Sequence, residues 1–89
     1  MGKVIMQNIK KGFIVRSLLG HDKNEIFVVI TVDHNLVYLA NGKNKSVDNP
    51  KKKNIKHVEY LNYSEELSQL LDSNKLNNSH IIRVLKNYR

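Results

Sequence analysis

The stretch "IFVVITV" (residues 26–32) is nearly all apolar and largely β-branched, and it limits the possible folds more tightly than any other segment. β-Branched side chains are stiff at χ1 and suit a pleated surface better than a helix. A continuous apolar run, without alternation, is expected of a strand buried on both faces. The fold must therefore cover this strand on two sides. "FIVRSLL" (13–19), introduced by Gly12, reads as a strand before it, and "LVYLA" (36–40) as a strand after it. The connection "DHN" between the latter two predicts a tight hairpin with Asn35 at positive φ. Asn41-Gly42 is the strongest short hairpin signal, because both residues tolerate the left-handed conformation of a type I′ turn. It leads into a fourth strand, "KNKSV" (43–47), which Pro50 ends by lacking a donor and holding Asn49 extended. "NIKHVEYL" (54–61) supplies a fifth. Short strands joined by tight turns over about fifty residues predict a small, mostly β antiparallel barrel.

The remainder reads as a helical tail, dividing the chain into a barrel over 1–61 and an extension over 62–89. "SEELSQLLDS" places Leu67, Leu70 and Leu71 on one face, with Asn62 or Ser64 as N-cap and Glu65 and Glu66 in the first turn. "SHIIRVLKNYR" places Ile81, Ile82, Leu85 and Tyr88 on one face, with Ser79 as its cap and Lys86 and Arg89 near the C-terminal end of the dipole. These apolar stripes are expected to pack against the barrel or each other, the alternative being a partner-binding face.

Charge is distributed as unevenly as structure. Fifteen Lys and Arg against eight Asp and Glu give a net charge of +7. Through residue 57, eleven basic residues (Lys3, Lys10, Lys11, Arg16, Lys23, Lys43, Lys45, Lys51, Lys52, Lys53, Lys56) face four acids (Asp22, Glu25, Asp33, Asp48), so the whole excess lies there. From residue 58 onward four bases balance four acids. The asymmetry predicts a polyanion-binding front and a neutral tail.

Catalysis finds little support. The 89 residues make one small domain that hides about 60–65% of its unfolded surface, leaving little room for an enclosed active site. Without cysteine there is neither a disulfide framework nor thiolate chemistry, which suits a reducing cytosol. His21, His34, His57 and His80 lack zinc-type spacing, and no Gly-rich phosphate loop is present. No apolar stretch reaches the roughly twenty residues of a membrane span, and the opening segment does not read as a signal peptide. The expectation is a non-catalytic cytoplasmic protein with no cofactor and no metal.

The basic segments carry more information. In an extended "PKKKNIK", Lys51 and Lys53 project to one side and Lys52 to the other. A solvated edge that discourages sheet aggregation explains one or two such lysines. Six positive charges at Lys43, Lys45, Lys51, Lys52, Lys53 and Lys56, offset locally by Asp48 alone, favour contact with a phosphate backbone. The connection "GHDKNE" (20–25) adds His21 and Lys23, with Asp22 expected to form the turn by bonding nearby backbone N–H groups.

"GFIVRSLLGHDKNEIFVVITVD" followed by "VYLANGKNKSVDNPKKKNIKHVEYL" resembles the KOW-domain RNA-binding proteins of bacteria, relatives of a group of archaeal and eukaryotic large-subunit ribosomal proteins. The resemblance covers residues 12 to about 61. It rests on Gly12 eight residues before Gly20, on Asp22-Lys23, on the Gly42 turn and on the "PKKK…KH" ending. It implies an SH3-like barrel that binds ribosomal or other structured RNA, with Gly20 in the KOW loop. Asn24 stands where a second glycine is usual, His21 replaces a common arginine, Asn41 replaces an aspartate, and Ser46 and Asn49 occupy often-basic positions.

The expected function is therefore RNA binding, most directly to ribosomal RNA. Phosphates would meet Lys43, Lys45, Lys51, Lys52, Lys53 and Lys56, with His21 and Lys23 approaching from the loop and His57 or Tyr38 stacking on a base. The C-terminal helices would then be free to contact a ribosomal protein. A protein-interaction module whose lysines confer solubility is the alternative. A membrane-surface role is disfavoured, since no amphipathic helix adjoins the lysine run.

Overall fold

The computed structural model describes residues 9–89. Lys3, counted in the basic front, and the opening segment read for targeting signals lie outside the described residues. Five strands, β1 (Phe13–Ser17), β2 (Ile26–Asp33), β3 (Leu36–Ala40), β4 (Lys51–Asn54) and β5 (Val58–Tyr63), precede two helices, α1 (Glu65–Asp72) and α2 (Asn78–Leu85). The strands form one antiparallel sheet in the order β4-β3-β2-β1-β5.

The sheet is open rather than closed into the expected barrel: β4 and β5 are its two edges. Only a 3-10 turn, Ile55–His57, separates them in sequence. The four steps from Asn54 to Val58 span at most about 14 Å, whereas four strand spacings in a flat sheet would take about 19 Å. The sheet must therefore curl. Register shifts between Ile14 and Val15 against β5, and between Val29 and Thr31 against β3, sharpen the bend.

Curling gives β2 two dry faces, as its composition demands. Ile14, Ile26, Val28 and Ala40 meet Leu67 of α1 and Ile81 and Leu85 of α2 in one apolar cluster. Val15, Phe27, Val29, Val37 and Leu39 form the other with Ile9, inside the curl, where Ile55 and Val58 pack against them. The tail thus shares a core with the sheet, and its predicted stripes supply the buried Leu67, Ile81 and Leu85.

Several local expectations need correction. Residues 43–47 form no strand, because Asn41 does not take positive φ and no type I′ turn forms. Instead the buried Asn41 side chain accepts from the backbone N–H groups of Lys43 (2.9 Å) and Lys45 (3.1 Å), closing a compact loop with only Gly42 left-handed. The fourth strand is the lysine run itself, begun after Pro50 rather than ended by it. The stretch 54–61 breaks into the 3-10 turn and β5, with Asn54 capping the turn through Lys56 N–H. His34, not Asn35, takes the left-handed position in the β2–β3 hairpin. Ser64 caps α1 as expected, accepting from Leu67 N–H at 3.1 Å. Asn77, not Ser79, caps α2, in a reciprocal box with His80.

Candidate nucleic-acid interface

The loop 18–25 is tied at both ends. Ser17 N–H donates to the Glu25 carbonyl at 2.9 Å and Asn24 N–H to the Ser17 carbonyl at 2.8 Å. Tight closure over so few residues needs left-handed backbone, supplied by Gly20 (φ 91°) and Asn24 (φ 75°). Asparagine at 24 therefore does conformational work usually left to glycine.

Asp22 is the centre of this loop, and its role differs from the expected turn-forming one. Its nearly buried carboxylate accepts from the Ser17 hydroxyl at 2.7 Å. The Lys51 and Lys53 ammoniums lie 3.1 and 3.2 Å from its oxygens. Oδ2, facing Lys51, has no other polar partner and is held by that ion pair. Lys53 Nζ also donates to the Leu19 carbonyl at 2.9 Å, anchoring the loop a second time. Burial pushes the Asp22 pKa up, but the Ser17 hydroxyl and the two lysines overcome it and lower it to about 2.

Strand register explains the reach of these lysines. Lys51 and Lys53 stand opposite Leu39 and Val37, which are fully buried inside the curl, so both lysines project inward. Their methylene stems extend the apolar lining while the ammoniums reach Asp22. Only 9% of the Lys53 side chain remains accessible, against 30% for Lys51. Lys52, opposite Tyr38, points to the other face and is exposed. The alternation read from the sequence holds, but two of the three lysines are largely neutralised within the fold.

The other predicted residues lie on connected loops. His21 and Lys23 are exposed on the 18–25 loop, and Lys56 is exposed on the 3-10 turn. Leu18 N–H donates to the half-buried His57's carbonyl at 2.9 Å, binding that turn to the loop. Asn41 Nδ2 lies 3.4 Å from Glu25 Oε1, which brings in the 41–45 loop with exposed Lys43 and half-buried Lys45. Lys23, Lys43, Lys45, Lys52 and Lys56 form no ion pair among the described residues. Elsewhere Arg16 pairs with Glu59 at 2.9 Å, and Lys11 with Asp72.

Sequence reasoning missed Arg89, which it assigned to a neutral tail. The fold returns it to a polar hollow of about 280 Å³ lined also by Glu25, Ile26, Asn41, Lys43 and Asn44. Nothing in linear spacing signals this approach, since it depends on how α2 docks. Among the described residues no group of three or more His, Cys, Asp or Glu side chains could hold a metal ion. No helix among them is long and apolar enough to cross a membrane. No protein-family model matches the chain, and no curated protein matches it.

Proposed function

We propose that the chain is a non-catalytic RNA-binding module of the KOW type, an SH3-like sheet left open between its edges, acting on structured ribosomal RNA in the cytoplasm. The observation that carries this reading is the set of lysines on touching loops. Lys23, Lys43, Lys45 and Lys56 are borne by three loops linked through Glu25–Asn41 and Leu18–His57, and none forms an ion pair among the described residues. Mutual repulsion within such a group turns into binding free energy when phosphates displace its counterions. His21 borders the group, Lys52 extends it onto the outer sheet face, and Lys51 and Lys53 shape it by holding the 18–25 loop. If four lysines contact phosphates, the logarithm of affinity for a duplex falls against the logarithm of salt with a slope of about −3.6. A titration of a ribosomal RNA fragment at several salt concentrations tests this, and a slope near zero rejects it.

A protein-interaction module is the second reading, favoured by Leu18 and Leu19, which are 39% and 50% exposed on the same loop. On that reading, replacing Lys23, Lys43 and Lys56 by Ala leaves complex formation intact. The RNA reading expects each replacement to reduce the salt slope by about 0.9.

A further inference from the structure

The far end of β1 carries a second, chemically different surface. Phe13 packs between two tyrosines of the edge strand β5, with ring centroids 5.2 Å from Tyr60 and 5.6 Å from Tyr63 at interplanar angles of 59° and 72°. Both tyrosines stay more than two-fifths exposed, among the few large apolar side chains that the fold leaves in water. Beside them an open hollow of about 610 Å³ is lined by Ile9, Phe13, Val32, Tyr63 and two lysines, Lys10 and Lys11, with no carboxylate in its wall among the described residues. Lys10 forms no ion pair among the described residues, and Lys11 makes only an exposed pair with Asp72 that another anion can replace.

We infer that this hollow is a binding site for an unpaired nucleotide of an RNA strand, the base lying on the Tyr63 and Phe13 rings and the phosphate between Lys10 and Lys11. Each part of the wall matches one part of that ligand. Aromatic rings accept the π-face of any base, and cations at the rim accept the backbone, which is how single strands are held without sequence preference. A purely apolar partner would leave the two lysines without a role, and a duplex hides the base faces. The volume falls within the ordinary range of small-ligand sites. The four steps of β1 from Phe13 to Ser17 separate this end from the loop surface by about 13 Å, so one folded RNA with a helical and an unpaired part can engage both. The inference rests on the RNA-binding reading and specifies which part of the RNA meets which part of the protein.

The test compares a short single-stranded oligoadenylate with a blunt RNA duplex of equal length, using the full chain. With no tryptophan and four tyrosines, intrinsic emission reports tyrosine directly. Oligoadenylate is expected to quench this emission. Tyr63→Ala should weaken oligoadenylate binding by at least about fivefold, the lower end of a lost base stack, and leave duplex binding unchanged. Tyr63→Phe should keep the affinity and lose most of the quench, separating loss of stacking from loss of fold. Lys10→Ala, an exposed change, should weaken the single strand alone. Oligoadenylate affinity that ignores Tyr63→Ala, or indifference to Lys10→Ala, overturns the assignment. Duplex binding without oligoadenylate binding rejects this site and spares the proposed function, whereas binding of neither rejects both.

Discussion

Asp22 stays ionised in a nearly dry position because Ser17, Lys51 and Lys53 together outweigh the cost of its burial. Its folded pKa, about 2, lies below the ordinary carboxylate value of 3.8. The stabilisation is therefore complete above about pH 4 and is lost as pH falls toward 2, an amount of roughly 2 kcal/mol from the size of the shift. Urea unfolding across that window should show the loss in the native chain and a flatter profile in Asp22→Asn. The lysines divide in the same way. Lys53→Met keeps the stem but leaves Asp22 with one counterion, so it should lower stability by about 1–3 kcal/mol with little change in the salt slope. Lys56→Ala should do the reverse. Part of this was legible at the residue scale: the alternation of "KKK" placed Lys51 and Lys53 on one side. Which side faced the interior, and that Asp22 waited there, depends on contacts across some thirty residues of chain.

Gly42 is constrained by a neighbouring element as well as by its own loop. Its left-handed φ of 82° suits a turn, but α2 also lies against it. A Cβ there would stand 2.7 Å from the Asn78 carbonyl oxygen and 2.8 Å from the Ile82 side chain. Gly42→Ala should therefore cost roughly 2 kcal/mol or more, combining strained backbone with overpacking, and thermal unfolding would show it. Gly12 meets the same limit against α1, with Ser68 Cβ 2.7 Å from the added atom. The helix caps act locally, and Ser64→Ala should cost about 1 kcal/mol. Elements whose burial follows directly from composition, such as β2 and β3, were readable along the chain. The strand expected at 43–47 was not, because the buried Asn41 side chain supplies the bonds that a sheet partner would have supplied. The extended lysine run was not assigned as the fourth strand because lysine stems occupy its inward positions, where a strand is expected to carry apolar residues.

At the scale of the molecule, sheet and helices form one cooperative unit around β2. A chain ended at residue 61 would expose Ile14, Val28 and Ala40, which α1 and α2 cover. It should lose cooperative thermal unfolding measured by circular dichroism. The sequence alone determined the first three strands, the two-sided burial of β2, the amphipathic tail and the total charge, because each depends on local periodicity or on composition. Tertiary structure decided which cations reach solvent, where Arg89 returns, and how far the sheet curls without closing. Those outcomes depend on contacts between residues distant in the chain, and side-chain periodicity carries no information about distances of that kind.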